Sequence, residues 1–462
     1  MSPEHFRRRV RLGVPAPEAY AWHARPGAFE RLNPPFAPAE IERSAPCLEN
    51  GSRLSMRVRL LGPIRARWVA EHRDVIPGLQ FRDVQVAGPF ASWNHLHRIE
   101  PDGDSACVLE DAVEYRHRFG AAGRFLGGRL VERQLARLFD YRHRVTADDL
   151  AAHAAATHGA PRATMKILIS GSRGLVGSSL APFLTTGGHT VTRLVRGTAG
   201  PGEIAWDPAK GVADPARLEG FDAVVHLAGE SIASRWSEAK KARIRESRVA
   251  GTRSLAEALV RCANPPKTLV CASAIGYYGD RGSETLTETS APGKDFLAEV
   301  CREWEAAAEP ARKKGIRVVS LRFGVILSPA GGALARMLTP FKMGAGGKLG
   351  SGAQYMSWLT IDDAVGMIHH AIATPSLAGP VNAVAPNPVT NSEFTKTLGR
   401  VLGRPTIFPM PAFAARLLFG EMADALLLSS ARVEPAALAK SGYRFRHAEL
   451  EGALRHVLGR TR

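Results

Sequence analysis

The stretch Met165–Gly177, MKILISGSRGLVG, decides the reading of this chain. Lys166 to Ser170 is a short apolar run of β character, long enough for one buried parallel strand. Gly171, Gly174 and Gly177 follow in G-x-x-G-x-x-G spacing, with Ser172, Arg173, Leu175 and Val176 between them, and Ser178 to Leu184 reads as a helix. Strand, glycine turn and helix in that order form the first βα unit of a dinucleotide site. Glycine is needed because the backbone must turn tightly, approach a pyrophosphate and pack helix on strand. The helix N-terminus then offers free N–H groups and the positive end of its dipole. No Gly-Lys-Ser/Thr follows, which excludes a P-loop.

The second strand, His189 to Val195, ends at Arg196. An acidic residue there would hold the ribose 2′-hydroxyl of NAD, whereas arginine accommodates the 2′-phosphate of NADP. Arg173 adds a second cation near the same place, so NADP is favoured over NAD. The competing reading of either arginine is an ordinary solvated surface charge.

The 462 residues allow about three domains. With 45% hydrophobic and 7% aromatic residues, the composition is that of a soluble globular protein. No segment has the roughly 20 uninterrupted apolar residues of a membrane span. Arg7, Arg8 and Arg9 are not followed by an apolar segment, so no signal peptide is read. Five cysteines without paired spacing argue for a reducing compartment, the cytoplasm, and against a disulfide or zinc framework. The net charge of +17 raises nucleic acid as a partner, but no helix-turn-helix, zinc-finger or RNP-like pattern accompanies it. Lys240, Lys241, Arg243, Arg245 and Arg248 lie along one expected helix and read as readily as a solvated face. Nucleic acid is therefore not favoured.

Residues 1 to about 150 contain no lysine and have a different texture. Phe6–Val14 reads as a strand, and Pro17–Trp22 and Pro26–Leu32 as short helices. Leu54, Met56, Val58 and Leu60 then alternate with Ser55, Arg57 and Arg59, and after Leu61-Gly62-Pro63 the pattern resumes with Ile64, Ala66 and Trp68. That is an antiparallel hairpin with one buried face. Further strands fit Leu79–Val86, Ser92–Glu100 and Ser105–Arg116. A long helix from Arg124 to about Leu150 carries Leu126, Leu130, Leu135, Leu138 and Val145 at helical spacing. This order of elements, with its opening PAPEAYAWHARPGAFERLNPP, resembles the START-like (SRPBCC, polyketide cyclase) helix-grip fold. The resemblance implies an α+β domain over residues 1–150 with a cavity for an apolar ligand; a filled core is the alternative. His23, His95, His97, His117 and His143 are scattered and give no metal spacing, so no metal site is expected.

Residues 151–164, with Gly159 and Pro161, read as a small-residue linker, and Met165 reads like the start of a second, fused protein. Beyond it, Asp222–Ala228, Thr268–Ser273 and Ile316–Phe323 are expected strands, and Ile244–Leu259 and Phe296–Lys313 expected helices. Together they make a doubly wound parallel Rossmann sheet over 165–462. A capping box, Thr390-x-x-Glu393, opens a helix ending near Gly403, within a smaller substrate lobe over about 380–462.

The glycine loop, the strand end HLAG with Leu227, Ala228 and Gly229, ASAIGYYG and LRFGVIL resemble the extended short-chain dehydrogenase/reductases. LAGESIASRW, YMSWLTIDD and NAVAPNPVTNSEF are similar to the bacterial NAD-dependent epimerase/dehydratase-like family once labelled cell-division inhibitors. The resemblance implies a cofactor site and a Tyr-x-x-x-Lys pair on the helix after the fifth strand, supported by a Ser and an Asn. Ser273 stands at the Ser position, but DFLAEVC (Asp295–Cys301) carries no such pair, and Arg248 stands where Asn is expected. Tyr277 and Tyr278 are the nearest replacement acids, with loop packing as the alternative, and Tyr278 is taken with Ser273 as the catalytic candidate. Two functions follow. One is an NADP-dependent oxidoreductase or epimerase-like enzyme acting on a small hydroxyl- or carbonyl-bearing substrate. The other is a non-catalytic NADP-binding sensor or adaptor whose first domain holds an apolar ligand or a partner.

Overall fold

Runs of alternating apolar and polar residues between Glu4 and Arg116 pair into one antiparallel sheet, as their period of two requires. The computed structural model describes residues 2–43, 47–61, 64–156, 163–212 and 214–460. The strands are β1 (Glu4–Leu12), β2 (Glu40–Arg43), β3 (Arg53–Leu61), β4 (Ile64–Ile76), β5 (Gln80–Ala87), β6 (Ser92–Pro101) and β7 (Cys107–Arg116), in the order β1-β7-β6-β5-β4-β3-β2. β2, Glu-Ile-Glu-Arg, carries too little apolar pattern to be read in advance. Gly62 and Pro63, expected to turn the β3–β4 hairpin, lie outside the described residues. Helices α1 (Ala16–Ala24) and α2 (Ala28–Leu32) follow β1, and α3 (Gly120–Ala155) follows β7.

α3 runs further than the sequence reading and takes in 151–155, the first part of the expected linker. Ala-Ala-His-Ala-Ala is a good helix former, and nothing in it stops the preceding turns. Residues 157–162 lie outside the described residues. Only part of the expected leucine stripe is buried: Leu135 and Val145 are, whereas Leu126 is 83% exposed and Leu130 45%. Trp93, Val113 and Tyr115 of the sheet pack with Leu135 and Phe139 of α3, and Leu12, Trp22, Ile99 and Leu109 with Leu150. Elsewhere in this unit a cavity of about 730 Å³ remains, lined by Leu54, Met56, Val58, Trp68, Leu135 and Leu138 among others. The apolar face of the hairpin therefore borders open space rather than a filled core.

The second unit is built on continuous apolar runs, as strands covered on both faces require. β8 (Lys166–Ser170), β9 (Thr190–Val195), β10 (Glu203–Ala205), β11 (Ala223–His226) and β12 (Thr268–Ala274) are joined by the strands Arg317–Phe323 and Gly379–Ala383. Their parallel order is β10-β9-β8-β11-β12, then 317–323, then 379–383. Helices α4 (Leu175–Thr186), α5 (Glu238–Val260) and α6 (Phe296–Ala306) are among the crossovers. Gly379–Ala383, expected in the C-terminal lobe, is instead an edge strand of this sheet. The expected helix 296–313 is broken after Ala306, three residues ahead of a second short helix, Glu309–Lys313, that contains Pro310. The Thr390–Glu393 capping box forms as read, and Gly403 ends that helix. By its contacts the chain divides into residues 1–162 with 185–188 and 458–462, and residues 163–184 with 189–457. Among the described residues no helix is long and apolar enough to cross a membrane.

In the first unit, Arg31 of α2 and Asp149 of α3 form a buried two-point ion pair, with Nε to Oδ2 at 2.7 Å and Nη2 to Oδ1 at 2.8 Å. Arg31 is 4% exposed and Asp149 0%, so this is a buried pair, which is costly to break by removing one partner. Asp149→Ala should destabilise the first unit by about 3–5 kcal/mol. Calorimetric unfolding of wild type and variant measures this as a lowered first-unit transition.

Candidate functional site

β8 ends at Ser170, and the chain turns at Gly171 with φ +68°. A Cβ on Gly171 would lie 2.7 Å from the Leu227 carbonyl carbon and 2.8 Å from Ala228 N, and one on Gly177 would lie 2.4 Å from Gly171 O. Both glycines are thus fixed by backbone, which cannot move aside as a side chain could. The Gly174 amide donates to Gly171 O at 2.9 Å and closes the turn; the Ser178 amide donates to Gly174 O at 2.9 Å. The first amides of α4 have no acceptor within their own helix and are available to an anion. The order of strands reverses between β8 and β11, so the loop sits at the topological switch point where open α/β sheets bind ligands. These residues fit the pyrophosphate of a dinucleotide.

The structure brings Gly171 against Leu227 and Ala228, joining the two sequence motifs. Ser172 is buried; Arg173 is exposed and pairs with Glu203 at 3.5 Å. Gly229 abuts Arg248, whose guanidinium would be 3.4 Å from a Cβ there. Arg248 donates to Glu230 O at 2.9 Å and lies over Trp304. Arg196, at the end of β9, lines a cavity of about 440 Å³ with Gly197, Trp206, Asp207, Glu230 and Arg243. Arg243 of α5 thus joins Arg196 at this cavity, whereas Arg173, the second cation expected there, is not among the residues lining it. The remaining basic residues of α5 are not a free stripe: Lys240 pairs with Glu230, Lys241 with Glu421, and Arg245 with Glu299 and Glu303.

The candidate catalytic hydroxyls lie in one buried network. Ser273 Oγ donates to Glu305 Oε1 at 2.7 Å, and Arg322 grips both Glu305 oxygens at 2.8 Å. Arg322 Nη1 donates to the Tyr278 hydroxyl at 2.9 Å, and that hydroxyl donates to Asn382 Oδ1 at 2.6 Å. Tyr278 is 0% exposed, and burial raises its pKa above the usual phenol value. Tyr277 lies under the Arg322 guanidinium, 3.5 Å from carbon to ring centroid. Strand alternation sets Ala272 and Ala274, which have no hydroxyl, on the face opposite Ser273. α6, capped by Asp295, buries Leu297, Ala298, Val300 and Cys301, and burial pushes the Cys301 thiol up to about 12. Glu305, Arg322 and Asn382 were not read from sequence, because their partners lie 17 to 104 residues away.

The histidines are a second departure. His95, His97 and His143 are not scattered: all three converge on Asp111 in the first unit. The signal was His-x-His on a strand, which period two places on one face.

The NAD dependent epimerase/dehydratase family model matches residues 167–384, and a model described as a domain of unknown function, DUF1731, matches 410–457. An epimerase family protein of Mycobacterium bovis is 45% identical over 296 residues, covering 64% of this chain and 98% of that one. A crystal structure described as the nucleoside-diphosphate sugar epimerase from Corynebacterium glutamicum superposes with a TM-score of 0.81 at 36% identity, over 98% of this chain and 90% of that one. The human epimerase family protein SDR39U1, solved with NADPH, superposes with a TM-score of 0.60 at 36% identity, over 64% of this chain and 99% of that one.

At the end of β11, His226 Nδ1 lies 2.6 Å from Ser170 Oγ, and the Leu227 amide donates to the same oxygen at 3.2 Å. Ser170 Oγ and His226 Nδ1 share one hydrogen bond, and burial lowers the His226 pKa from 6.5 to about 4, so the imidazole is neutral at neutral pH. Because the folded value is the lower one, its contribution to stability is complete above about pH 6.5 and falls as pH drops toward 4. The loss amounts to about 1.4 kcal/mol per pH unit, or roughly 3 kcal/mol in all. Denaturant unfolding of wild type and His226→Asn between pH 7 and 4 should show the extra acid sensitivity in the wild type alone.

Proposed function

The chain belongs to the NAD dependent epimerase/dehydratase family, and we propose that its second unit binds NADP(H) and oxidises, reduces or epimerises a small hydroxyl- or carbonyl-bearing substrate. A nucleotide-linked sugar is the substrate class we favour, after the likeness to the Corynebacterium structure. The observation that carries the proposal is the glycine loop: Gly171 and Gly177 stand where a Cβ would strike backbone, at the switch point of the sheet. The likeness to the human protein solved with NADPH supports the choice of cofactor. Arg196 and Arg173 are the proposed 2′-phosphate contacts, with Arg243 beside Arg196, and Leu227, Ala228 and Gly229 border the cofactor. The buried hydroxyls of Ser273 and Tyr278 serve this site by fixing the end of β12.

A second reading is a non-catalytic NADP-binding sensor or adaptor. One observation favours it: α6 supplies no Tyr-Lys pair, and the Tyr278 hydroxyl is already engaged on both sides. We further propose that the first unit is a START-like (SRPBCC) domain whose cavity holds an apolar ligand, and that the protein works in the cytoplasm. Its five free cysteines suit a reducing compartment.

Titration of wild type and Arg196→Ala with NADPH and NADH tests the cofactor assignment. Wild type should prefer NADPH, and the variant should lose about ten- to a hundredfold in NADPH affinity, the worth of one charge-assisted contact. Equal wild-type affinity for the two cofactors overturns the assignment. Turnover of nucleotide sugars with bound NADP(H), measured for wild type, Ser273→Ala and Tyr278→Phe, separates the two readings. No turnover favours the sensor. A hundredfold fall in rate at unchanged melting temperature would place either hydroxyl on the substrate.

A further inference from the structure

Strand pairing in the first unit assembles side chains distant in the chain. Asp83 of β5 lies opposite His95 of β6, and His97 of β6 lies opposite Asp111 of β7. His95 and His97, two residues apart on one strand, share a face. That face lines the 730 Å³ cavity, together with Asp83 and His72. One ligand atom from each of Asp83, His95 and His97 lies within 4.8 Å of the others. We infer that these three residues hold a divalent first-row transition metal, of the zinc or ferrous class, with its remaining coordination positions open to the cavity.

Two imidazoles and one carboxylate form the donor set of open metal sites, in which protein supplies three ligands and leaves room for another. The groups behind the ligands support the assignment. Metal-bound histidines use their second nitrogen on a carboxylate, which fixes ring and tautomer. Asp111 Oδ1 lies 2.8 Å from His95 Nε2 and 2.8 Å from His97 Nδ1, and its Oδ2 lies 2.5 Å from His143 Nε2. His95 is left with Nδ1, which has no hydrogen-bond partner among the described residues. His97 turns Nε2 toward Asp83, 3.2 Å from Oδ2, and His72 holds the other Asp83 oxygen at 2.7 Å. His95 is thus held from behind with one nitrogen left over, and the metal would take the place of the proton between His97 Nε2 and Asp83 Oδ2. His95 is 2% and His97 5% exposed, so the imidazoles are rigid, whereas the Asp83 side chain is 27% exposed toward the open side.

The test uses the full chain without an affinity tag, stripped with a chelator and titrated with Co²⁺, followed by its visible d–d absorption and by displacement with Zn²⁺. Asp83→Asn and His95→Gln should each bind one equivalent fewer than wild type. Asp111→Asn, a positioning change, should keep that equivalent with about ten- to a hundredfold weaker affinity. His456→Gln is the control for the other metal-compatible cluster, Asp362, His447 and His456 in the second unit, and should leave the equivalent in place. Melting curves check that each variant folds; should His95→Gln fail, Asp83→Asn decides alone. A wild type that takes up no Co²⁺, or variants at Asp83 and His95 that bind as many equivalents as wild type, overturns the inference. In that event the cluster is a proton-sharing network of carboxylates and imidazoles.

Discussion

The Gly171 backbone lies so close to the Leu227–Ala228 peptide that a Cβ there would come within 2.7 Å of the Leu227 carbonyl carbon. Much of the second unit's site depends on this approach. It sets the exit of β8 against the end of β11 and aims the first turn of α4 at the space above the switch point. It also places Ser170 where its hydroxyl can serve both His226 and the Leu227 amide. Any side chain at Gly171 or Gly177 must displace main chain belonging to another element. The site is therefore set by the backbone, whose turn presents free amides and a helix end.

Beside it, β12 ends in a network in which every strong group has a partner. Arg322, 2% exposed, would be costly to bury alone. Glu305 meets it at two points, Ser273 donates to the same carboxylate, and Tyr278 links the guanidinium to Asn382. A fully satisfied buried network of this kind rigidifies the strand end it occupies. The same contacts engage the phenol on both sides: it donates to Asn382 and accepts from Arg322.

The first unit shows the opposite economy. Its sheet and helix leave open space between their apolar faces, and the polar groups at the wall of that space come from adjacent strands. Asp83, His95, His97 and Asp111 are cross-strand neighbours in two consecutive ladders. Their proximity follows from register: a one-residue slip would send each to the other face.

The Rossmann unit was legible in the sequence because its signals are local. KILIS, the three glycines and the apolar run after them sit within twenty residues, and their order dictates strand, turn and helix. The Thr390–Glu393 capping box and the alternation in β3 and β4 are local in the same sense, set by helical and strand periods. Long-range pairing is not written in such periods. Tyr278 stands in a contiguous motif, but its hydroxyl's partner Asn382 lies 104 residues away, which no local pattern reveals. The leucines of α3 have helical spacing throughout, but only packing decides that Leu135 is buried and Leu126 exposed. The histidines are far apart in the chain or without metal spacing; pairing of β5, β6 and β7 brings Asp83 and Asp111 to His95 and His97, and packing of α3 brings His143 to the same Asp111. Sequence alone determined the glycine turn at Gly171 and the elements with a clear local period, since both follow from local sterics. Tertiary structure decided which side chains meet, because strand register and helix packing juxtapose residues that no local period relates.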